Sequence, residues 1–277
     1  MIGGGQLARM THQAGIALGV DFRLLAEGPE VSAAQVARNV QVGDYRDLRT
    51  LQEFAAGCDV VTFDHEHVPT EHLHRLEADG VAVRPGPDAL IYAQDKGAMR
   101  DRLTALGVPC PRYRSVLDLA DLDAAAKSFD SWPVVLKTTR GGYDGKGVWI
   151  VDATRTAEVD AVFASGRPLI AEERVDFARE LAAVVARSPS GQAIAYPVVE
   201  SVQRDGVCHE VIAPAPGLGE DLAVEAQRIG LRIAGELGVV GILAVELFET
   251  RDGRILVNEL AMRPHNTGHW SIDGAVT

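Results

Sequence analysis

The sequence predicts an α/β protein of two domains, a parallel-sheet domain in front and a mixed α+β domain behind. A glycine turn near the start runs straight into a helix-period segment and then an apolar strand, the opening of a βαβ unit. Strand-like and helix-like runs then alternate to the end of the chain. Pro85-Gly86-Pro87 separates two stretches of different rhythm. At 277 residues, 47% of them hydrophobic, the chain also exceeds the comfortable size of a single core.

Met1 and Ile2 are all that precede the glycines, so the first strand looks clipped. From Gln6 to Leu18 the apolar positions Leu7, Met10, Ala14 and Leu18 fall at helical spacing, Gly19 ends that helix, and Phe22 to Ala26 reads as a strand. A strand over 59–64, a helix over 70–79 and a strand over 81–84 complete a Rossmann-like domain, 1–87. A helix from Asp88 to Leu106 opens the second domain, 88–277, and Pro109 and Pro111 forbid its continuation. A helix over 119–129, a strand over 134–137, a glycine-rich loop, a strand over 148–151, a helix over 154–164 and a strand over 169–173 make a small lid, about 112–175. Strands over 180–186 and 193–202 flank a hairpin signal at Pro189-Ser190-Gly191. A helix over 222–237 precedes strands over 243–249 and 255–260, which are joined by the turn Arg251-Asp252-Gly253.

The formal charge of −12 disfavours nucleic acid as a partner but leaves room for a local basic pocket around a small phosphate. No apolar run approaches the roughly 20 residues of a spanning helix. The N-terminus has no basic stretch or cleavage site, so a cytoplasmic location without membrane contact is expected. Cys58, Cys110 and Cys208 are scattered and outside any CxxC spacing, which reads as buried thiols rather than disulfides or a thiolate metal site. Nucleotides and metabolites are the expected partners.

The strongest chemical signal is the run from Lys137 to Gly147, with four glycines in its last seven residues and a lysine at the preceding strand end. Backbone N–H groups without Cβ neighbours can cradle an anion, and Lys137 and Lys146 add charge for a polyphosphate. A hairpin tip with solvated charges is the plainer reading. No GxxxxGKS or GxxxxGKT occurs, so ATP bound here would be held without a Walker loop. The second signal is Glu246 and Glu259, acids inside the apolar strands of one hairpin, where an unpaired charge is costly. Antiparallel pairing would bring both to one site, and with the Asn258 oxygen they suit Mg²⁺ bridging phosphates. Exposed alternates on a half-solvated strand are the plainer reading here. The third is Glu172-Glu173-Arg174-Val175 with Glu180 beyond it, where a strand-edge backbone could pair with adenine and a carboxylate with ribose hydroxyls.

In the order Lys96, Lys137, the Gly141 to Gly147 loop, Glu172 to Val175, Glu180, Glu246 and Asn258-Glu259, the chain resembles the ATP-grasp superfamily from about residue 88 onward. The loop, the run from Asn258 to Trp270, and Gly3-Gly4-Gly5-Gln6-Leu7 at the front are similar to the N5-carboxyaminoimidazole ribonucleotide synthetase branch. That resemblance implies a Rossmann-like domain followed by an ATP-grasp fold with a small lid. The implied ATP contacts are Lys96 and Lys137 on the phosphates, with Gly141, Gly142, Tyr143, Asp144, Gly145, Lys146 and Gly147 closing over them. Glu172, Glu173, Arg174 and Val175 would hold adenine and Glu180 the ribose, with Gln203, Asn258 and Glu259 in the same site. Glu246 and Glu259 would hold magnesium, two ions being implied and no redox cofactor. The implied reaction, a step of purine biosynthesis, uses ATP and bicarbonate to form carboxyphosphate, which carboxylates the amine of 5-aminoimidazole ribonucleotide. Tyr143, Asp144 and Arg263 are the implied catalytic residues: Arg263 for the carboxyphosphate anion, Asp144 for the amine proton or for ordering its loop. Gly5, Gln6, Glu66, Arg263, His265 and Asn266 form the implied substrate side, and a homodimer is implied as well.

Some features fall outside that scheme. His65, His67, His72 and His74 invite a zinc reading but match no standard ligand spacing. Gly3, Gly5 and Ala8 with Glu27 fit a dinucleotide fingerprint, but an oxidoreductase would leave the Lys137 loop and the paired glutamates without a task. Another ATP-grasp carboxylate–amine ligase and a non-catalytic ATP sensor are the nearer alternatives. Family members carry a further small domain after the point corresponding to Thr277, so the end is expected to be clipped like the start. Met262 and Thr267 stand where the family pattern has proline and serine.

Overall fold

The computed structural model describes residues 1–142, 145–154 and 157–274. Its front domain comprises helix α1 (Gln6–Ala17), strands β1 (Arg23–Ala26) and β2 (Asn39–Val42), and helices α2 (Leu48–Ala55) and α3 (Thr70–Ala78). β1 and β2 pair in parallel, Ile2 bridges Leu25 on one side and Phe63 on the other, and Val61 bridges Val83, all in parallel. Ile2, Leu25, Phe63 and Val83 are buried at the centre of this Rossmann-like sheet. The strands expected over 59–64 and 81–84 are corrected: each is an extended pass joined to its neighbours at single bridges. Val61 and Phe63 are buried but Val60 is exposed, so the pass is too short and too half-solvated to lengthen its ladder.

The single helix expected over 88–106 is two, α4 (Pro87–Gln94) and α5 (Lys96–Ala105). Asp95 separates them, its backbone extended (φ −132°, ψ 108°) and its carboxylate accepting from the amide of Ala98 to cap α5. The same residue pairs with Arg140 at 2.8 Å, and Lys96 N–H donates to Thr139 at 2.9 Å, so α5 starts against the root of the glycine loop.

Next come β3 (Tyr113–Val116), α6 (Leu119–Phe129), β4 (Val134–Thr138), β5 (Val148–Val151), α7 (Ala157–Ala164) and β6 (Leu169–Glu173). The strands form an antiparallel sheet in the order β3-β6-β4-β5. One of its faces, with Leu136, Val151 and Leu169, is buried under Leu122, Ala126 and Phe129 of α6.

The remainder is β7 (Phe177–Arg187), β8 (Ala193–Ala195), β9 (Val199–Arg204), β10 (Val207–Ile212), α8 (Glu220–Glu236), β11 (Gly241–Thr250), β12 (Ile255–Ala261) and a terminal helical turn, α9 (Ser271–Gly274). A six-stranded antiparallel sheet runs β10-β9-β7-β11-β12, with β8 on β7. The strand expected over 193–202 is split because Pro197, which has no N–H for a ladder, falls in its middle. Leu181, Ala183 and Val185 of β7 and Leu243, Val245 and Leu247 of β11 are buried with Ile229 and Ile233 of α8. Their alternates Glu180, Glu246 and Phe248 therefore project from the opposite face. Among the described residues no helix is long and apolar enough to cross a membrane.

Candidate active site

The two larger sheets face each other across a cavity of about 710 Å³. β4 contributes Val135 and Lys137, whose partners on β5 are Ile150 and Val148, while Glu172 of β6 lies opposite Val135. The six-stranded sheet contributes Glu180, Gln203, Cys208, Glu246, Phe248, Asn258 and Glu259. Most of these are cross-strand pairs on one face: Glu180 with Phe248, Gln203 with Cys208, Glu246 with Glu259.

Asn258 reaches the cavity through a break in the pleat. Glu246 pairs with Glu259 while Leu247 pairs with Val257, which makes Asn258 an extra residue in β12. Neighbours in a regular strand face opposite ways, and the bulge lets Asn258 share the cavity with Glu259. Asn258 Nδ2 donates to Glu246 at 3.4 Å, and its Oδ1 accepts from Lys137 Nζ at 3.2 Å. Glu246 pairs with His265 Nε2 at 3.3 Å and Glu259 with Lys96 Nζ at 3.0 Å.

Burial opposes the charge on Glu246, yet His265, then Lys137 and Lys96, hold its pKa below the ordinary carboxylate value. For Glu180 burial first and Glu246 second raise the pKa to about 7, with Lys137 opposing them. One acid is thereby kept charged beside another that titrates near neutrality. Hard oxygens from two carboxylates and an amide fit magnesium, which takes one or two carboxylates and fills its other positions with phosphate and water oxygens. Among the described residues no three His, Cys, Asp or Glu side chains gather as a closed metal site. His65 instead meets Glu27 at 3.2 Å and His74 meets Asp88 at 3.4 Å.

Lys137 is buried, with Nζ 2.8 Å from Glu172 Oε2, and Arg100 Nε takes the other oxygen at 2.7 Å. Burial alone would raise the Glu172 pKa, but Lys137 and then Arg100 bring it down to about 2. The glycine loop adds Gly142, Gly145 and Lys146 to the lining, bounded by Gly141 and Gly147 at φ 74° and 75°. A Cβ on Gly147 would stand 2.6 Å from Thr138 Oγ1, so the loop can return to its strand only as glycine. Tyr143 and Asp144 lie outside the described residues.

Glu173, Arg174 and Val175 also line the cavity, but the Glu173 carboxylate accepts from Arg112 N at 2.8 Å and Nε at 2.7 Å. With Glu172 engaged too, the two acids that end β6 are taken up by the protein's own groups. The apolar end of the cavity is made by Val135, Val148, Ile150, Phe177 and Phe248, the two phenyl rings stacked at 4.8 Å. Sequence reasoning missed these, although the period of two from Lys137 and Glu246 points to Val135 and Phe248. It also missed Arg100, one helical turn beyond Lys96 on α5.

Of the residues expected on the substrate side, His265 and Asn266 line the cavity. Glu66 reaches from the front domain to the segment after β12, accepting from Met262 N at 3.2 Å and Arg263 Nε at 2.7 Å, which makes Arg263 a paired cation. Gly5 and Gln6 stand apart at the start of α1. There Gly5 N and Ala8 N donate to Asp64 at 2.8 and 2.6 Å, and Gly4 N to Glu27 at 3.1 Å. The protein's own acids thus hold the amides that a dinucleotide pyrophosphate would need.

A family model for the ATP-grasp domain matches residues 101–277, and one for the ribonucleotide synthetase preATP-grasp domain matches residues 1–94. The chain is 58% identical over 279 residues to the N5-carboxyaminoimidazole ribonucleotide synthase of Mycobacterium tuberculosis, an alignment that takes in 100% of this chain. It spans 65% of the length of that curated relative. Among solved structures, an ADP complex of an N5-carboxyaminoimidazole ribonucleotide synthetase superposes with a TM-score of 0.91 at 37% identity, over 100% of this chain and 72% of the other. The Aspergillus clavatus N5-carboxyaminoimidazole synthase in complex with ADP and 5-aminoimidazole ribonucleotide superposes with a TM-score of 0.88 at 28% identity, over 99% and 72%.

Proposed function

The chain belongs to the N5-carboxyaminoimidazole ribonucleotide synthase family of ATP-grasp proteins, and from that premise we propose that it carboxylates the amine of 5-aminoimidazole ribonucleotide, using ATP and bicarbonate. The observation that carries the reading is the meeting, inside one cavity, of Lys137 from one sheet with Asn258, Glu246 and Glu259 from the facing sheet, with the glycine loop at its edge.

In this reading the adenine lies between the sheets at the end formed by Ile150 and Phe248, near Glu173, Arg174 and Val175, with Glu180 and Gln203 toward the ribose. Lys137 and Lys96 face the phosphates, Lys96 exchanging Glu259 for a phosphate oxygen. Glu246 and Glu259, with the Asn258 oxygen, would hold magnesium, two ions in this proposal, which neutralises phosphate charge when bound. Bicarbonate is a poor electrophile, so its oxygen takes the terminal phosphoryl group of ATP, releasing ADP and leaving carboxyphosphate. The amine then takes the carboxyl group as phosphate departs. Carboxyphosphate hydrolyses readily, and enclosure between two sheets and the loop keeps water away. Arg263, oriented by Glu66, supplies the cation for that anion beside His265 and Asn266. Tyr143 and Asp144 act from the loop, Asp144 on the amine proton, and Gly5, Gln6 and Glu66 belong to the ribonucleotide side. A cytoplasmic homodimer completes the proposal.

ADP release from Mg²⁺ and ATP should rise when bicarbonate is added and rise again with 5-aminoimidazole ribonucleotide. A chain that binds ATP but releases ADP at a rate indifferent to both would be an ATP-binding module instead.

A further inference from the structure

We infer that Arg100, which lies outside the cavity lining, is a positioning residue that keeps Lys137 a net cation toward the phosphates. The inference rests on reading the cavity as an ATP site. Arg100 is fully buried, 0% exposed, one helical turn along α5 from Lys96. Stability is a weak reason for such a placement, because a buried ion pair seldom outperforms apolar residues of similar volume. Its Nη2 is moreover buried without a hydrogen-bond partner among the described residues, a further penalty.

The charge count supplies a better reason. Glu172 lies between two cations, Oε1 on Arg100 and Oε2 on Lys137, so the group of three carries one surplus positive charge. Arg100 is sealed away from the cavity and Lys137 lines it, so the surplus is presented at Lys137. Without Arg100, Lys137 and Glu172 would cancel, and an entering polyphosphate would meet a neutral pair. Lys137 Nζ has three hydrogens; Glu172 and Asn258 take two, which leaves one for a phosphate oxygen. Arg100 braces both of these partners, since its Nη1 donates at 3.2 Å to the carbonyl of Val257, the residue just before Asn258.

Three variants, titrated by calorimetry with Mg²⁺-ATP and with adenosine, test this. Arg100→Met should lower ATP affinity at least tenfold while leaving adenosine affinity within about twofold, since adenosine carries no phosphate for Lys137. Arg100→Lys, which preserves the charge count, should retain most of the ATP affinity. Arg100→Met can fail to fold because it leaves Glu172 undercompensated. Arg100→Met with Glu172→Gln removes both charges, and it should restore ATP affinity to near wild type. Equal loss of ATP and adenosine in Arg100→Met, unchanged ATP binding there, or a folded double variant that remains selectively weak for ATP would each overturn the inference. A wild-type chain that binds neither ligand would overturn the reading of the cavity itself, a distinct failure that removes the inference with it.

Discussion

At Gly3 to Gly5 the chain turns into α1, and the amides of that turn donate to Asp64 and Glu27 of the same domain. At Gly141 to Gly147 the turn joins β4 to β5, and its described residues stand at a cavity with Lys137 at the root. Both segments look equally fit for phosphate when read as strings of glycine. The difference lies in charges delivered from elsewhere: acids from distant positions close the first, whereas the second is ringed by lysines. A glycine run shows that something can come close, and its surroundings decide what does.

The largest way to break that comparison is at Lys137. Lys137→Met should weaken ATP roughly 10- to 100-fold, the worth of a charge-assisted hydrogen bond, and should also lower thermal stability, because it leaves the buried Glu172 with Arg100 alone. Equal ATP affinity in calorimetry would remove the loop's distinction. Gly5→Ala probes the other turn: the new Cβ would run into the Asp64 carboxylate. It should lower stability by about 1–3 kcal/mol in urea unfolding and leave ATP titrations unchanged. Asp64→Asn, which keeps the shape but removes the anion from the start of α1, should reduce stability by about 1 kcal/mol and admit no NADH. Tight NADH binding by the wild type would overturn the occupied-amide account.

The smallest effect separates two acids by pH. Glu180, raised from 4.5 to about 7, keeps a proton in the folded state that the unfolded chain gives up, so its contribution to stability falls as pH rises from 4.5 toward 7 and is constant above. Glu180→Gln should therefore gain on wild type by about 1 kcal/mol at pH 8 relative to pH 4, after allowance for partial exposure. Glu172, lowered from 4.5 to about 2, runs the other way: its stabilisation is present above 4.5 and disappears as pH falls toward 2. Urea midpoints against pH for Glu180→Gln and Glu172→Gln would show opposite slopes, and parallel slopes would contradict both environments.

Much of the site was legible because its signals are local. Acids in apolar strands on either side of a tight turn must meet if the hairpin forms, and Glu246 and Glu259 are direct partners. The alternation of strands and helices likewise pointed to the right class of fold. What escaped depends on contacts between distant segments. Nothing near Arg100 announces that Glu172, 72 residues later, will be its partner. Asp95 reads as an ordinary helical residue until its carboxylate is seen capping a second helix and holding Arg140. The passes over 59–64 and 81–84 carry apolar residues but too few aligned neighbours to form regular strands.

Asn258 is an insertion in an otherwise even ladder: with it removed, Glu246 would still oppose Glu259 and Leu247 would still oppose Val257. The opposed acids and the amide that meets Lys137 are therefore distinct parts of one hairpin. A chain shorter by that single residue would keep its acid pair opposed while losing the amide that touches both Lys137 and Glu246, so one inserted residue ties the lysine of one sheet to the acids of the other.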